Sequence, residues 1–275
     1  MFVTIITDCK NDNEKGRQET RFASLGLGPT CVVGIGNALD QKATLEAAGN
    51  LVDMLDASGG KKGIIVVNVA PRGEVKEDGE NGSTFAYFYF KNTLIISTIK
   101  GYCLSLIKKL KITKSVNLLN LTDSLNYAVE KKLINKSLFF RISKSQFRSF
   151  DFVPRVAKWL IDGNKIPSKK ISLEKIPSMP SCIWHIDTFG NAKLTIHSKE
   201  FDIKPSQKID TNVGSLTFYN RLKDVPEKST GLYIGSSGLD EARFLEIAAQ
   251  NVPGSAAKKL GLKVGQKINI PTPAG

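Results

Sequence analysis

The feature that most constrains this chain is a short, continuously apolar run that is met three times in the first seventy residues. Phe2 to Thr7 is the first, ending at Asp8, and Cys31-Val32-Val33-Gly34-Ile35 and Ile64-Ile65-Val66-Val67 follow. Runs of this length, rich in β-branched residues, read as strands buried on both faces. Between the last two, Leu45, Ala48, Leu51, Val52 and Leu55 recur at helical spacing across Gln41 to Asp56. Strand, helix, strand at these lengths predicts a parallel α/β sheet. In such sheets ligand sites gather outside the carboxyl ends of the strands, which makes Asp8 and Asn68 candidate site residues.

Further along, Phe85 to Phe90 and Thr93 to Ser97 flank Lys91-Asn92 and predict a hairpin. A helix over Tyr102 to Leu110, a strand at Val116-Asn117-Leu118-Leu119 and a helix from Val153 to Ile161 complete the unit, and Asp162-Gly163-Asn164 stops the last helix. The sequence therefore predicts an α/β domain over 1–165 with a mainly parallel sheet flanked by helices. Pro167, Pro177 and Pro180 mark 166–180 as a connecting segment. From 181 to 275, short strands with turn residues and one short helix suggest a smaller, mostly β, barrel-like domain. No internal repeat or low-complexity tract is present.

A length of 275 residues accommodates both domains, each with a buried core. Lys and Arg number 39 against 26 Asp and Glu, a net charge of +13 that raises the question of a polyanionic partner. The lysines are scattered, as in Lys108-Lys109, Lys131-Lys132 and Lys169-Lys170, and read as a solvated surface more than as a nucleic-acid footprint. Cys9, Cys31, Cys103 and Cys182 lie far apart, with no spacing that suggests a disulfide framework or a zinc site. Met1 to Asp8 lacks a basic leader and a cleavage signal, and no stretch is long and apolar enough to span a membrane, so a cytoplasmic location without membrane partners is expected.

The segment richest in chemistry is Trp184-His185-Ile186-Asp187-Thr188-Phe189-Gly190-Asn191. Ile183 and Ile186 before it, and Leu194 and Ile196 after it, read as two strands with Phe189-Gly190-Asn191 at their junction. Glycine there permits positive φ or a close backbone approach, leaving Asp187 and Asn191 to face a ligand. The same residues also read as an ordinary turn with a solvent-facing acid.

Asp187, Phe189, Gly190 and Asn191 resemble the Asp-x-Phe-Gly-Asn motif of the S-adenosylmethionine hydroxide adenosyltransferase family, relatives of the enzymes that fluorinate or chlorinate the same substrate. The run from Leu245-Glu246-Ile247-Ala248 through Gly254-Ser255-Ala256-Ala257 to Leu260-Gly261-Leu262 is similar to the family's closing segment, apart from a short insertion around Asn251 to Pro253. The resemblance implies that Asp187 accepts hydrogen bonds from the methionine ammonium and that Asn191 reads the adenine edge, roles that suit a carboxylate and an amide. It places Ser236 and Ser237 at the methionine carboxylate, Asn251 at a backbone contact to adenine, and Phe218 or Tyr219 as a stacking partner of the purine. Each of these taken singly also reads as core or turn. Thr7-Asp8 resembles the family's Thr-Asp-Phe-Gly start, with Cys9-Lys10 in place of Phe-Gly, so Asp8 is implied to accept both ribose hydroxyls; read by itself it is also a cap. Asn13 stands, in a shorter loop, near the implied methionine end.

Departures from the family concentrate where the reaction is driven. The family's Asp, Arg and His set becomes Asn68, Arg72 and Arg148, with Arg72 aligned only loosely because the glycine-rich Asp-Pro-Gly-Val-Gly stretch is absent. The Pro-Asp-Asn-Gly segment appears as Thr98-Ile99-Lys100-Gly101, and neither His185 nor His197 stands at an N-terminal strand end. Phe147-x-Ser149 is similar to the Phe-x-Ser of the fluorinating enzyme. Attack at C5′ of a sulfonium expels a neutral thioether, so the leaving group needs no acid, although water still benefits from a base. Arg148 cannot be that base but can hold an anion by charge.

The resemblance thus implies a protein that binds S-adenosylmethionine as substrate, without a further cofactor or metal, and forms adenosine and methionine. The catalytic group would be Asn68, Arg72, Arg148 and Ser149, with Phe147 at the substrate. Alternatives are a non-catalytic adenosyl-binding protein of the same fold, a halogenating enzyme and a basic nucleic-acid-binding protein. A homotrimer with intersubunit sites is implied by the resemblance alone.

Overall fold

The computed structural model describes residues 1–36, 42–70, 83–250 and 255–271. They form two compact units, Met1–Pro177 and Ser178–Gly275. The first begins with β1 (Phe2–Thr7), passes through α1 (Asp12–Ser24) and returns as β2 (Thr30–Gly34), parallel to β1. Then α2 (Lys42–Ser58) carries the chain to β3 (Gly63–Asn68), parallel to β1 on its other side. This change of direction around β1 is the topological switch that leaves a crevice at the strands' carboxyl ends.

The expected hairpin is formed by β4 (Phe85–Phe90) and β5 (Thr93–Thr98), with Lys91 in the turn at φ 53°; β5 continues the parallel sheet on β3. After α3 (Ser105–Lys109) comes β6 (Ser115–Leu119), then α4 (Leu121–Glu130), α5 (Lys136–Ser143), α6 (Arg148–Asp151) and α7 (Val153–Ile161). Within the segment expected to be a connector, Ser168–Ser172 form β7, which pairs antiparallel with β6. The sheet order is β2-β1-β3-β5-β4-β6-β7, parallel over its first four strands and antiparallel beyond. Exposed Lys169 and Lys170 on the edge strand β7 discourage pairing with another chain.

Alternation along the central strands divides the core. Val3, Ile5, Ile64, Val66, Leu94 and Ile96 join one cluster with Phe22 of α1, Leu125 of α4, Ile142 of α5 and Trp159 of α7. Ile65, Val67 and Ile95 are equally buried on the other face, and α2 packs against β1 and β3. The sequence signal missed α1 because only Gln18 and Phe22 of that helix are buried; its start is instead fixed by a capping box between Asn11 and Glu14.

The second unit comprises β8 (Ile183–Ile186), β9 (Ala192–His197), β10 (Lys208–Thr211), β11 (Gly214–Tyr219), β12 (Thr230–Leu239), β13 (Ala242–Ala249) and α8 (Ser255–Leu260). Its six strands are ordered β10-β11-β12-β13-β9-β8, so the sheet is open, with β10 and β8 at its ends. One face is apolar: Ala192, Leu194, Phe218, Leu232, Leu245 and Ile247 pack with Ala256 of α8 and with Leu262 and Ile268. The chain is therefore an α/β unit followed by a sheet-rich unit, as expected. Among the described residues no helix is long and apolar enough to cross a membrane.

Candidate functional site

The switch between β1 and β3 brings together two residues 61 positions apart. Thr7 and Asn68 are register partners, and the Asn68 amide donates to Thr7 Oγ1 at 3.0 Å. The backbone N–H of Cys9 donates to the same hydroxyl at 3.1 Å, and Asp8 Oδ2 accepts from Ala70 N at 3.3 Å. Thr98, at the carboxyl end of β5, donates to Val69 O at 2.6 Å. Asp8 and Asn68 thus sit half-buried at the carboxyl ends of β1 and β3, where the fold class places ligands. Two thiols nearby are held protonated. Burial, followed by the charges of Asp8 and Glu14, pushes Cys9 up to about 11, and burial pushes Cys103 to about 12.

The other N-terminal candidates occupy α1 and α6. Asn13 is exposed in the first turn of α1 and lines a groove with Phe150 of α6. Phe147, at the start of α6, is 47 % exposed and meets the Phe150 ring edge-on at 5.6 Å. Arg148 is buried and Ser149 half-buried. Arg72 and Asn251 lie outside the described residues.

In the second unit, β8 and β9 are joined by a hairpin through Thr188-Phe189-Gly190. Gly190 N donates to Asp187 O at 2.9 Å and Gly190 takes φ 77°, the pattern of a type I turn followed by a left-handed residue. A Cβ on Gly190 would lie 2.0 Å from Ser255 Oγ, and Ala257 N donates to Gly190 O at 3.0 Å, so the hairpin is clamped to the start of α8. Asp187 closes the turn: Oδ1 accepts from Phe189 N and Asn191 N, both at 2.9 Å, and Oδ2 accepts from the Asn191 amide at 3.1 Å. The turn reading of these residues is thereby realised, with acceptor capacity still left on the carboxylate and a carbonyl oxygen on Asn191. Phe189 is 79 % exposed at the tip.

Phe218, expected to stack on a purine, is packed into the apolar core instead. Strand alternation sends its neighbour Tyr219 to the opposite face, where it is half-buried. That face carries a polar row which the sequence reading did not single out. The register aligns Tyr219, Tyr233, Glu246, Lys193 and His185 across five adjacent strands. Tyr233 donates to Glu246 Oε2 at 2.5 Å, and both are buried. A carboxylate loses several kcal/mol of hydration on burial, roughly, unless hydrogen bonds replace it. Gly235 makes the room: a Cβ there would stand 2.2 Å from Glu246 Oε1. Burial, then the hydrogen bond and charge of Glu246, and finally Asp187, raise the Tyr233 phenol far above its ordinary value. Lys193 Nζ donates to buried Ser237 at 2.6 Å and lies 5.5 Å from the Trp184 ring centroid. Ser236 is exposed, and its carbonyl accepts from Arg243. The visible signal for this row was a single acid, Glu246, inside the apolar run Phe244 to Ala248, and a lysine between Ala192 and Leu194.

The fold defines a two-unit class: an open α/β sheet with polar groups at its switch point, followed by a separate sheet-rich unit whose β8–β9 hairpin carries Asp187 and Asn191. Residues 181–269, most of the second unit, match the family model of the SAM hydroxide adenosyltransferase C-terminal domain. Over its length the chain shares its fold with an uncharacterized conserved protein from Thermotoga maritima, at TM-score 0.69 and 16 % identity, covering 98 % of this chain and 100 % of that one. A conserved hypothetical protein from Thermus thermophilus is similar at TM-score 0.61 and 17 % identity, with 98 % and 99 % covered. No curated protein matches the chain.

Proposed function

We propose that this protein binds S-adenosyl-L-methionine and transfers its adenosyl group to water, releasing adenosine and L-methionine. The observation that carries this reading is the match of residues 181–269 to the SAM hydroxide adenosyltransferase C-terminal domain, a span that contains the Asp187–Asn191 hairpin. In the proposed step the water oxygen bonds to ribose C5′ as the C5′–S bond breaks. The sulfur keeps the electron pair and becomes the neutral thioether of methionine, and one water proton passes to solvent. Asp8 is assigned to the ribose hydroxyls, Asp187 to the methionine ammonium, Asn191 to the adenine edge, and Ser236 and Ser237 to the methionine carboxylate. Lys193, bonded to Ser237, adds positive charge beside that last group. Orientation and exclusion of water can lower such a barrier by several kcal/mol, on the order of what a modest catalyst needs.

A second reading, a non-catalytic adenosyl-binding protein, is favoured by one specific observation. Asn68 occupies the strand end beside Asp8 with its amide committed to Thr7, so that position supplies no base. Incubation of purified protein with S-adenosylmethionine, scored for adenosine and methionine by chromatography, separates the two. Equimolar release of both products supports transfer to water. Tight calorimetric binding without product supports the second reading, and absence of binding rejects both. The homotrimer belongs to the same proposal, and sedimentation as a monomer would remove it.

A further inference from the structure

A groove of about 520 Å³ runs along one face of α1 and reaches Phe150 of α6. Arg17, Thr20, Arg21 and Ser24 line it at successive turns of the helix, with Asp12 at its beginning. Gly16 leaves the floor clear, since a Cβ there would meet nothing within 4 Å. The Arg17 guanidinium lies over the Phe150 ring, 4.7 Å from its centroid. Stacking engages the flat face of a guanidinium and leaves its in-plane N–H donors for another acceptor. Among the described residues Arg17 has no carboxylate partner.

Behind this residue the positive charge is crowded. Arg21 Nη2 stands 3.3 Å from Asp151 Oδ1, and Arg155 Nη1 stands 4.0 Å from the same oxygen. Ser145 donates to the other carboxylate oxygen at 2.7 Å. Arg155 is buried, and its pKa is lowered by that burial first and by the charge of Arg21 next, with Arg141 adding to the effect. Arg21 and Arg155 therefore share the single carboxylate of Asp151, with the charge of Arg141 acting on Arg155, while Arg17 stands unpaired at the groove among the described residues. Like charges gathered beside an open groove are relieved by an anion and made worse by a cation. The helix N-terminus contributes little, because Asn11 and Glu14 already close it.

We propose that this groove binds a small phosphate monoester, with the phosphate held by Arg17 and Arg21 and the Thr20 hydroxyl as a further donor. Planar guanidinium forks match phosphate oxygens in pairs, which lysines cannot do. The groove's volume lies in the ordinary range for small-ligand sites, roughly 300–1,000 Å³. Asn13 lines the groove too, so it borders the position that the family resemblance gives to the methionine end; a sulfonium does not suit its arginines, and the phosphate assignment stands whether or not the adenosyl reading holds.

Calorimetry with ribose 5-phosphate, inorganic phosphate and ribose, at an ionic strength fixed with chloride, tests the assignment on the full-length protein. Saturable heat with the two phosphates and none with ribose is expected. Arg17→Gln, at an exposed position, and Thr20→Val should each weaken ribose 5-phosphate binding, the first by about tenfold, as expected for loss of a charge-assisted contact. Unchanged affinity in the folded Arg17→Gln protein overturns the proposal. So does an oligonucleotide that binds with steep salt dependence while ribose 5-phosphate gives no heat, because that marks a polyanion surface.

Discussion

Asp187→Ala removes three accepted hydrogen bonds at once, two from the backbone at Phe189 and Asn191 and one from the Asn191 amide. Hydrogen bonds to charged groups are worth roughly 1.5–3 kcal/mol each, and partial exposure of this turn lets water recover part of that, so about 1 kcal/mol per bond is a fair value. The substitution should then lower stability by about 3 kcal/mol. Asp187→Asn retains a carbonyl oxygen for the two backbone donors and sets an amide against the Asn191 amide, which limits its loss to about 1 kcal/mol. Urea unfolding followed by tryptophan fluorescence reads this directly, since Trp184 is buried in the adjoining strand. Ligand binding separates the turn role from the recognition role. If the carboxylate meets an ammonium, Asp187→Asn loses about 2 kcal/mol of binding, roughly 30-fold in Kd, despite an intact hairpin. Wild-type affinity for S-adenosylmethionine in Asp187→Asn would refute the ligand contact. Unfolding of Asp187→Ala within about 0.5 kcal/mol of wild type would refute the turn argument.

Three further outcomes follow from the same geometry. Gly190→Ala should cost more than about 2 kcal/mol, because it combines positive φ with a Cβ driven into Ser255, and Ser255→Gly should recover part of the loss in urea unfolding; no recovery would mean the clash is not the cause. Asn68→Asp returns a carboxylate to the strand end beside Asp8, and under the water-transfer reading it should raise adenosine release by at least about tenfold, toward the range of general-base catalysis; an unchanged rate argues that Asn68 does not face the reacting water. Tyr233 has a folded-state pKa raised by burial and by Glu246, so its contribution is intact below the unfolded value near 10 and is lost as pH climbs above it. Tyr233→Phe should cost about 2 kcal/mol at pH 7 and lose stability less steeply than wild type between pH 9 and 11; parallel slopes would show that this phenol is not the titrating group.

Local pattern announced much of the α/β unit. The apolar runs gave β1, β2 and β3, helical spacing gave α2 and α7, and the Lys91-Asn92 turn gave the β4–β5 hairpin. What escaped had a physical cause in each case. α1 buries too little apolar surface to show a period. β7, Ser168–Ser172, carries lysines and serines because it is an edge strand, and so it passed for a connector. Phe218 and Tyr219 were indistinguishable as stacking partners, since only the register decides which neighbour faces the core.

The amino-acid order alone fixed the alternation of buried strands and helices, the glycine turn at Gly190, and the motif that relates residues 181–269 to adenosyl chemistry. These depend on period, on backbone conformational freedom and on residue types set a few positions apart. Only the tertiary structure decided which distant residues share a face. Strand order put Asn68 against Thr7 at the switch point, register lined up Tyr233, Glu246, Lys193 and His185, and packing of α1 against α6 gathered arginines around Asp151. Thr7 and Asn68, Lys193 and Glu246, and Arg21 and Asp151 are separated by tens of residues along the chain, and no short-range pattern encodes a contact made by hydrogen-bonded strands and docked helices.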